Sequence, residues 1–134
     1  MLLTKASEYA LLSLIVISQK DAPQDVDTLS SKLGISKSFL AKILQSLAKE
    51  GFLKSFKGAH GGFMLADKPE TLSIKKIIEC AEKKPTVVFE CATSSKCCPN
   101  NRGDICKVRP FMHKLQTKID VFLDNMTLKD IIEI

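Results

Sequence analysis

Apolar residues recur every three or four positions from residue 2 to about residue 19. Leu3, Ala6, Ala10, Leu14 and Ile17 form one stripe, widened by Leu11, Leu12 and Ile15, and the spacing predicts a first amphipathic helix. Residues 20–24, with Pro23, break the pattern and read as a loop. Either Asp25 or Asp27 is placed to cap a short second helix that runs to Leu33, and Gly34 permits a tight turn. Ser36 is placed to cap a third helix reaching Glu50, where Gly51 suits a left-handed stop. On that helix Phe39, Leu40, Ile43, Leu44 and Leu47 share the face expected to be buried. Ser38, Ala41, Lys42 and Gln45 fall on other faces, free to meet a partner.

Two short helices joined by a glycine turn, the second basic on its outer side, make a helix-turn-helix. Residues 52–57 and 62–66 then read as strands around Gly58-Ala59-His60-Gly61, a hairpin with a glycine-rich tip, or wing. Further on, Ser73 can cap a helix over 74–83 that turns Ile74, Ile77, Ile78 and Ala81 inward, and Cys80 within it reads as a small core residue. Pro110 suits the first turn of a long helix to about residue 125, with Phe111, Leu115, Ile119, Phe122 and Met126 in one row. With Leu2, Leu3 and the first helix, that row could bury a dimer interface; the alternative is packing onto its own domain. Thr127 can cap a last turn over 128–132. The expected fold is therefore mainly α with a small β-hairpin: a winged helix-turn-helix domain (1–84), a cysteine-rich segment (85–109), and a dimerisation helix with a C-terminal turn (110–134).

Composition narrows the class. With 45% hydrophobic and 26% charged residues the chain has the balance of a globular protein. Its most apolar stretch, residues 10–17, is far shorter than the roughly 20 residues a membrane-spanning helix needs. The first residues lack the basic region and cleavage site of a secretory signal, so a cytoplasmic location is expected, where thiols stay reduced. The net charge is +5. Residues 32–57 carry Lys32, Lys37, Lys42, Lys49, Lys54 and Lys57 against a single acid, Glu50, so this segment accounts for the excess. A basic stripe on an otherwise neutral chain is the footprint of a polyanion binder, although a solvated lysine face would look the same. In the nucleic-acid reading, Lys37, Lys42 and Lys57 meet phosphates, Ser38, Lys42 and Gln45 face base edges, and Gly58, His60 and Gly61 form the tip of the wing.

Four of the five cysteines, Cys91, Cys97, Cys98 and Cys106, fall within sixteen residues with the spacing C-x5-C-C-x7-C. Thiolates bind soft or borderline metals, zinc and iron–sulfur clusters above all. The spacing is neither the paired C-x2-C of a zinc ribbon nor a ferredoxin run. Neighbouring side chains diverge, so Cys97 and Cys98 are not expected to share a centre, and three cysteines leave a fourth ligand to be found. Lys96, Arg102, Lys107 and Arg109 lie close in sequence and could offset thiolate charge. A thiol switch without metal is the competing reading.

These residues resemble, over essentially the whole chain, the IscR/NsrR family of bacterial winged-helix regulators. The resemblance rests on Leu3-Thr4 and Tyr9-Ala10, on Ile35-Ser36-Lys37-Ser38-Phe39-Leu40, and on Lys57-Gly58-Ala59-His60-Gly61-Gly62-Phe63, similar to the family's Arg-Gly-x-x-Gly-Gly-Tyr wing. The cysteine segment ahead of a long helix and Thr127-Leu128 complete it. It implies a homodimer on a palindromic operator in double-stranded DNA, and an iron–sulfur cluster, 2Fe–2S or 4Fe–4S, that alters DNA affinity. It also implies three cysteine ligands. Cys91 and Cys106 match the outer two; Cys97 keeps the five-residue first gap, whereas Cys98-Pro99 resembles the Cys-Pro of many members. A histidine serves as fourth ligand in IscR-like members three residues after the last cysteine, where Arg109 stands here. An acid near the N-terminus of the partner subunit serves in NsrR-like members, and Glu8 matches that position, with His113 a weaker alternative.

Two other readings stay open beside the cluster-sensing regulator. One is a DNA-binding regulator that senses through thiols or a partner protein; the other, less favoured, is an electron carrier or enzyme. The two histidines, His60 and His113, are far apart in sequence without a placed nucleophile, so no catalytic constellation or small-molecule substrate is expected.

Overall fold

The computed structural model describes residues 3–88 and 106–134. Among these described residues, six α-helices and one hairpin follow in the order α1 (Lys5–Ser18), α2 (Val26–Leu33), α3 (Lys37–Lys49), β1 (Leu53–Phe56), β2 (Gly62–Leu65), α4 (Ile74–Glu82), α5 (Arg109–Asp124) and α6 (Leu128–Ile132), with a 3-10 turn at Pro69–Thr71.

Local sequence explains most boundaries. The Thr4 hydroxyl caps α1 by accepting from Ala6 N, Asp25 caps α2 by accepting from Thr28 N at 2.7 Å, and Ser36 and Ser73 cap α3 and α4. Asp25, not Asp27, is thus the cap of α2. Gly34, at φ +68°, ends α2 in the left-handed conformation that glycine adopts without steric cost. The last turn, α6, is held by Asp130, whose Oδ2 accepts from Thr127 N at 2.8 Å and from Thr127 Oγ1 at 3.1 Å.

One hydrophobic core runs between α1, α3 and α4. Leu14, Leu29, Leu40, Leu44, Leu47, Ile77, Ile78 and Leu128 are its largest fully buried apolar side chains, and Leu123 of α5 joins the same cluster. Ala10, Leu14 and Ile17 of α1 and Leu40, Ile43, Leu44 and Leu47 of α3 are buried as expected, and single positions depart from the pattern. On α1, Ser7 and Ser13 are buried while Leu12 is exposed, as is Leu3 ahead of the helix. Each serine hydroxyl has a partner that offsets its desolvation: Ser13 Oγ donates to Tyr9 O, and Ser7 Oγ to Glu82 Oε1. On α3, Phe39 is 39% exposed rather than buried; its ring meets Tyr9 edge-to-face, with centroids 5.7 Å apart.

Three non-local ties lock the helices together. The hairpin pairs antiparallel, Leu53 with Leu65 through Phe56 with Gly62. Gln24 adds a bridge to its outer side: Gln24 N donates to Phe63 O and Phe63 N to Gln24 O, each at 2.9 Å. The C-terminal turn is stitched to the start of α4 by Ile74 N to Met126 O and by Leu128 N to Leu72 O. Finally, the Glu82 carboxylate at the end of α4 accepts from Ser7 Oγ (2.6 Å), Thr4 N (2.7 Å) and Thr4 Oγ1 (2.7 Å) at the start of α1.

Candidate nucleic-acid interface and sensor segment

α2 and α3, joined through Gly34 and Ile35, form the helix-turn-helix. Gly34 N donates to Ser30 O at 2.9 Å, and buried Ile35 pins the turn to the core. α3 is anchored by Leu40, Ile43, Leu44 and Leu47, so its opposite side is presented outward. Ser38, Lys42 and Gln45 are all exposed there. Lys37 is also exposed, but its Nζ lies 2.7 Å from Asp27 Oδ1, and that hydrogen bond and charge raise its pKa above the ordinary lysine value. Both side chains are solvated, so the pair is weak and a DNA phosphate could displace Asp27.

The wing is braced against this unit. Gly62, at φ +145°, lies so close to the loop before α2 that a Cβ there would sit 2.5 Å from the carbonyl carbon of Gln24 and 2.8 Å from Asp25 N. The Gln24–Phe63 bridge therefore fixes where the tip stands relative to α2. Lys54, Lys57, Gly58 and His60 are exposed and Gly61 is half-buried. Gln24 was not legible as a functional residue, because a single bridging residue leaves no periodic signal.

The proposed sensor residues divide. Cys91, Cys97 and Cys98 lie outside the described residues. Cys106 is a half-buried free thiol three residues before α5. Glu8 stands exposed on the first turn of α1, its Oε2 2.8 Å from Lys5 Nζ. It borders a recess of about 370 Å³ with Leu3, Thr4, Lys5, Ser7 and Leu11. Among the described residues no three His, Cys, Asp or Glu side chains gather as a metal site. Cys80 packs half-buried against the core, its Sγ 3.5 Å from Ser46 O. Burial, and then the charge of Glu50, push its thiol pKa up, which favours the protonated thiol. Arg109, in the place of the family's histidine, is the first residue of α5.

The described residues on both sides of the cysteine segment reach α5. Cys106 leads directly into it, and Val88 N donates to Gln116 Oε1 at 2.7 Å. Gln116 sits in the row Met112, Gln116, Ile119, Leu123, so a polar residue interrupting an apolar stripe was the available signal for it. Along the outside of α5, Phe111 (60%), Phe122 (63%) and Val121 are exposed, as is Val108 just ahead of it, while Leu115 and Ile119 are half-buried. No helix among the described residues is long and apolar enough to cross a membrane.

A basic recognition helix set on a buried core, with a braced hairpin beside it, defines a winged-helix DNA-binding protein. Residues 3–134 match the Rrf2 family model, described as an iron-dependent transcriptional regulator, and the chain belongs to that family. It is 30% identical over 133 residues to the protein rrf2 of Nitratidesulfovibrio vulgaris, covering 98% of this chain and 87% of that one. It is 31% identical over 137 residues to the HTH-type transcriptional regulator NsrR of Bacillus licheniformis, covering 98% and 92%. Among solved structures, CymR, the global cysteine regulator of B. subtilis, superposes with TM-score 0.74 at 21% identity, covering 98% of this chain and 95% of that one. IscR of T. potens gives 0.75 at 22%, covering 98% and 85%. The fold is thus that of winged-helix Rrf2 regulators. The protein is a transcriptional regulator of a family that binds DNA, and its relatives are regulators rather than enzymes.

Proposed function

We propose that this protein is a cytoplasmic, homodimeric transcriptional regulator that binds a palindromic operator and whose affinity is set by an iron–sulfur cluster, 2Fe–2S or 4Fe–4S. In this reading α3 enters the major groove. Ser38, Lys42 and Gln45 meet base edges, Lys37 and Lys57 meet phosphates, and Gly58, His60 and Gly61 let the wing approach the backbone closely. Two copies joined along α5 cover Phe111 and Phe122 and set the spacing of the recognition helices, which a palindrome reads directly.

The observation that supports the sensing half is where the two flanks of the cysteine segment stand. Cys106 lies three residues before α5, and Val88 N donates to Gln116 Oε1 on the same helix, so the described residues on both sides of the remaining cysteines stand beside α5. The family description as iron-dependent supports the same reading. Thiolate donors in a loop fit a cluster, and Glu8 of the partner subunit is the fourth ligand. The Lys5 partner that Glu8 would have to leave is solvated, so the exchange costs little. When bound, the cluster supplies a redox- and iron-responsive link between the subunits. This chain's own part is to present the thiolates, orient Glu8 and hold the dimer geometry.

Anaerobic purification, visible absorption and iron and sulfide counts test the reading, together with operator binding before and after cluster removal. Cys91→Ala and Cys106→Ala are expected to abolish the absorption and to change operator affinity. Wild-type protein with no visible absorption but with operator binding that responds to thiol oxidation would establish metal-free thiol sensing instead.

A further inference from the structure

The polar residue buried inside α5 has a specific set of partners. Gln116 is 6% exposed. Its Oε1 accepts from Val88 N at 2.7 Å, and its Nε2 donates to Thr86 O at 2.7 Å and to Asp120 Oδ1 at 2.9 Å. Taking the carbonyl of one residue and the N–H of the residue two further on is what a neighbouring strand does, so the carboxamide stands in for a strand at residues 86–88. Thr86, 4% exposed, is held from the other side as well: its N and Oγ1 donate to Glu79 Oε1 on α4 at 3.4 and 3.3 Å. Asp120 continues the chain of contacts to Lys75 Nζ at 3.5 Å, and Asp124 adds a second carboxylate at 3.3 Å. Lys75 lies on the first turn of α4. α4 in turn packs Ile77 and Ile78 into the cluster that seats Leu40, Leu44 and Leu47 of the recognition helix.

We propose that Gln116 is a positioning residue: it latches the entry of the cysteine segment onto α5 and, through Asp120 and Lys75, onto α4, so that the state of the segment reaches the helix behind the DNA-reading head. This deepens the sensor reading of Cys91–Cys106 and rests on it. The physical basis is the dryness of the latch. A buried carboxamide cannot trade its partners for water, so residues 86–88 have one favoured position on α5, and the contacts of Asp120 with Lys75 and of Thr86 with Glu79 pass a displacement of that position to α4.

The variant Gln116→Met keeps the side chain's length and removes its hydrogen bonds; Lys118→Met, at an exposed site on the same helix, is the control. Two quantities are measured: hydrogen exchange of the Val88 amide, and the ratio of operator affinities between cluster-loaded and cluster-free protein. Gln116→Met is expected to speed Val88 exchange about tenfold for each buried hydrogen bond lost. It is expected to shrink the affinity ratio by about threefold or more, with Lys118→Met close to wild type in both. Unchanged Val88 exchange overturns the latch. Faster exchange with an unchanged ratio overturns the coupling and leaves Gln116 a purely structural residue. If wild-type protein takes up no cluster, the cluster reading fails separately, and the ratio is taken between maleimide-blocked and free protein; a wild-type ratio of one then overturns the proposal. Should Gln116→Met not fold, Lys75→Met cuts the far end of the relay and leaves the latch intact. Val88 protection as in wild type with a smaller ratio supports the proposal; an unchanged ratio overturns it.

Discussion

Replacing Gly62 by alanine separates the bracing of the wing from the wing itself. Gly62 sits at φ +145°, and a Cβ there would meet backbone atoms of Gln24 and Asp25 at 2.5 and 2.8 Å. Neither neighbour is a side-chain end that can swing aside. The backbone conformation alone costs an alanine about 1–3 kcal/mol. Forcing the wing off the α2 loop adds about 1–3 kcal/mol, as overpacking of a fitted contact does, and strains the two Gln24–Phe63 hydrogen bonds. Gly58→Ala is the matched control: φ is +101°, but a Cβ there meets nothing within 4 Å. It therefore carries the conformational part alone, at an exposed tip free to relax. At about 4 °C per kcal/mol for a chain of this size, Gly62→Ala should lower Tm by about 10 °C or more, and Gly58→Ala by about 4 °C. Thermal unfolding must be compared at one protein concentration, because the proposed dimer would make Tm concentration-dependent. Operator affinity should fall more for Gly62→Ala, whose wing is displaced. Equal losses of Tm in the two variants would refute the claim that the hairpin is held against α2.

Two further outcomes follow from other contacts. Burial tends to raise the pKa of Glu82, but the hydrogen bonds from Ser7 and Thr4 outweigh it and hold the carboxyl below its ordinary value of 4.5. Its contribution is therefore complete above that value and lost as pH falls through the lower folded-state pKa. Urea midpoints should show Glu82→Gln weaker than wild type by about 1 kcal/mol at neutral pH, with the gap closing in acid; a gap independent of pH would show that the charge plays no part. Phe122→Glu places a charge on the exposed row of α5 and should weaken self-association by about thirtyfold or more in sedimentation equilibrium, with operator affinity falling alongside; an undisturbed dimer would move the interface elsewhere.

The helices, most of their caps and the hairpin were legible in the sequence because each depends on spacing within a few residues. Ser36 ahead of an i, i+3, i+4 apolar row needs no tertiary partner to mark the start of α3. The basic segment and the clustered cysteines are likewise facts of order along the chain, and with the wing motif they were enough to point to a DNA-binding regulator of this family. The tertiary structure decided which polar residues go inside and what braces what. Ser7 is buried because Glu82 arrives from 75 residues away. Phe39 turns outward because Tyr9 offers its ring. Gln116 interrupts an apolar row because residues 86 and 88 present backbone groups that need partners. Periodicity reports how one segment divides apolar from polar faces. It carries no trace of a hydrogen bond between segments, because such a bond exists only once both have been brought together by the core they share.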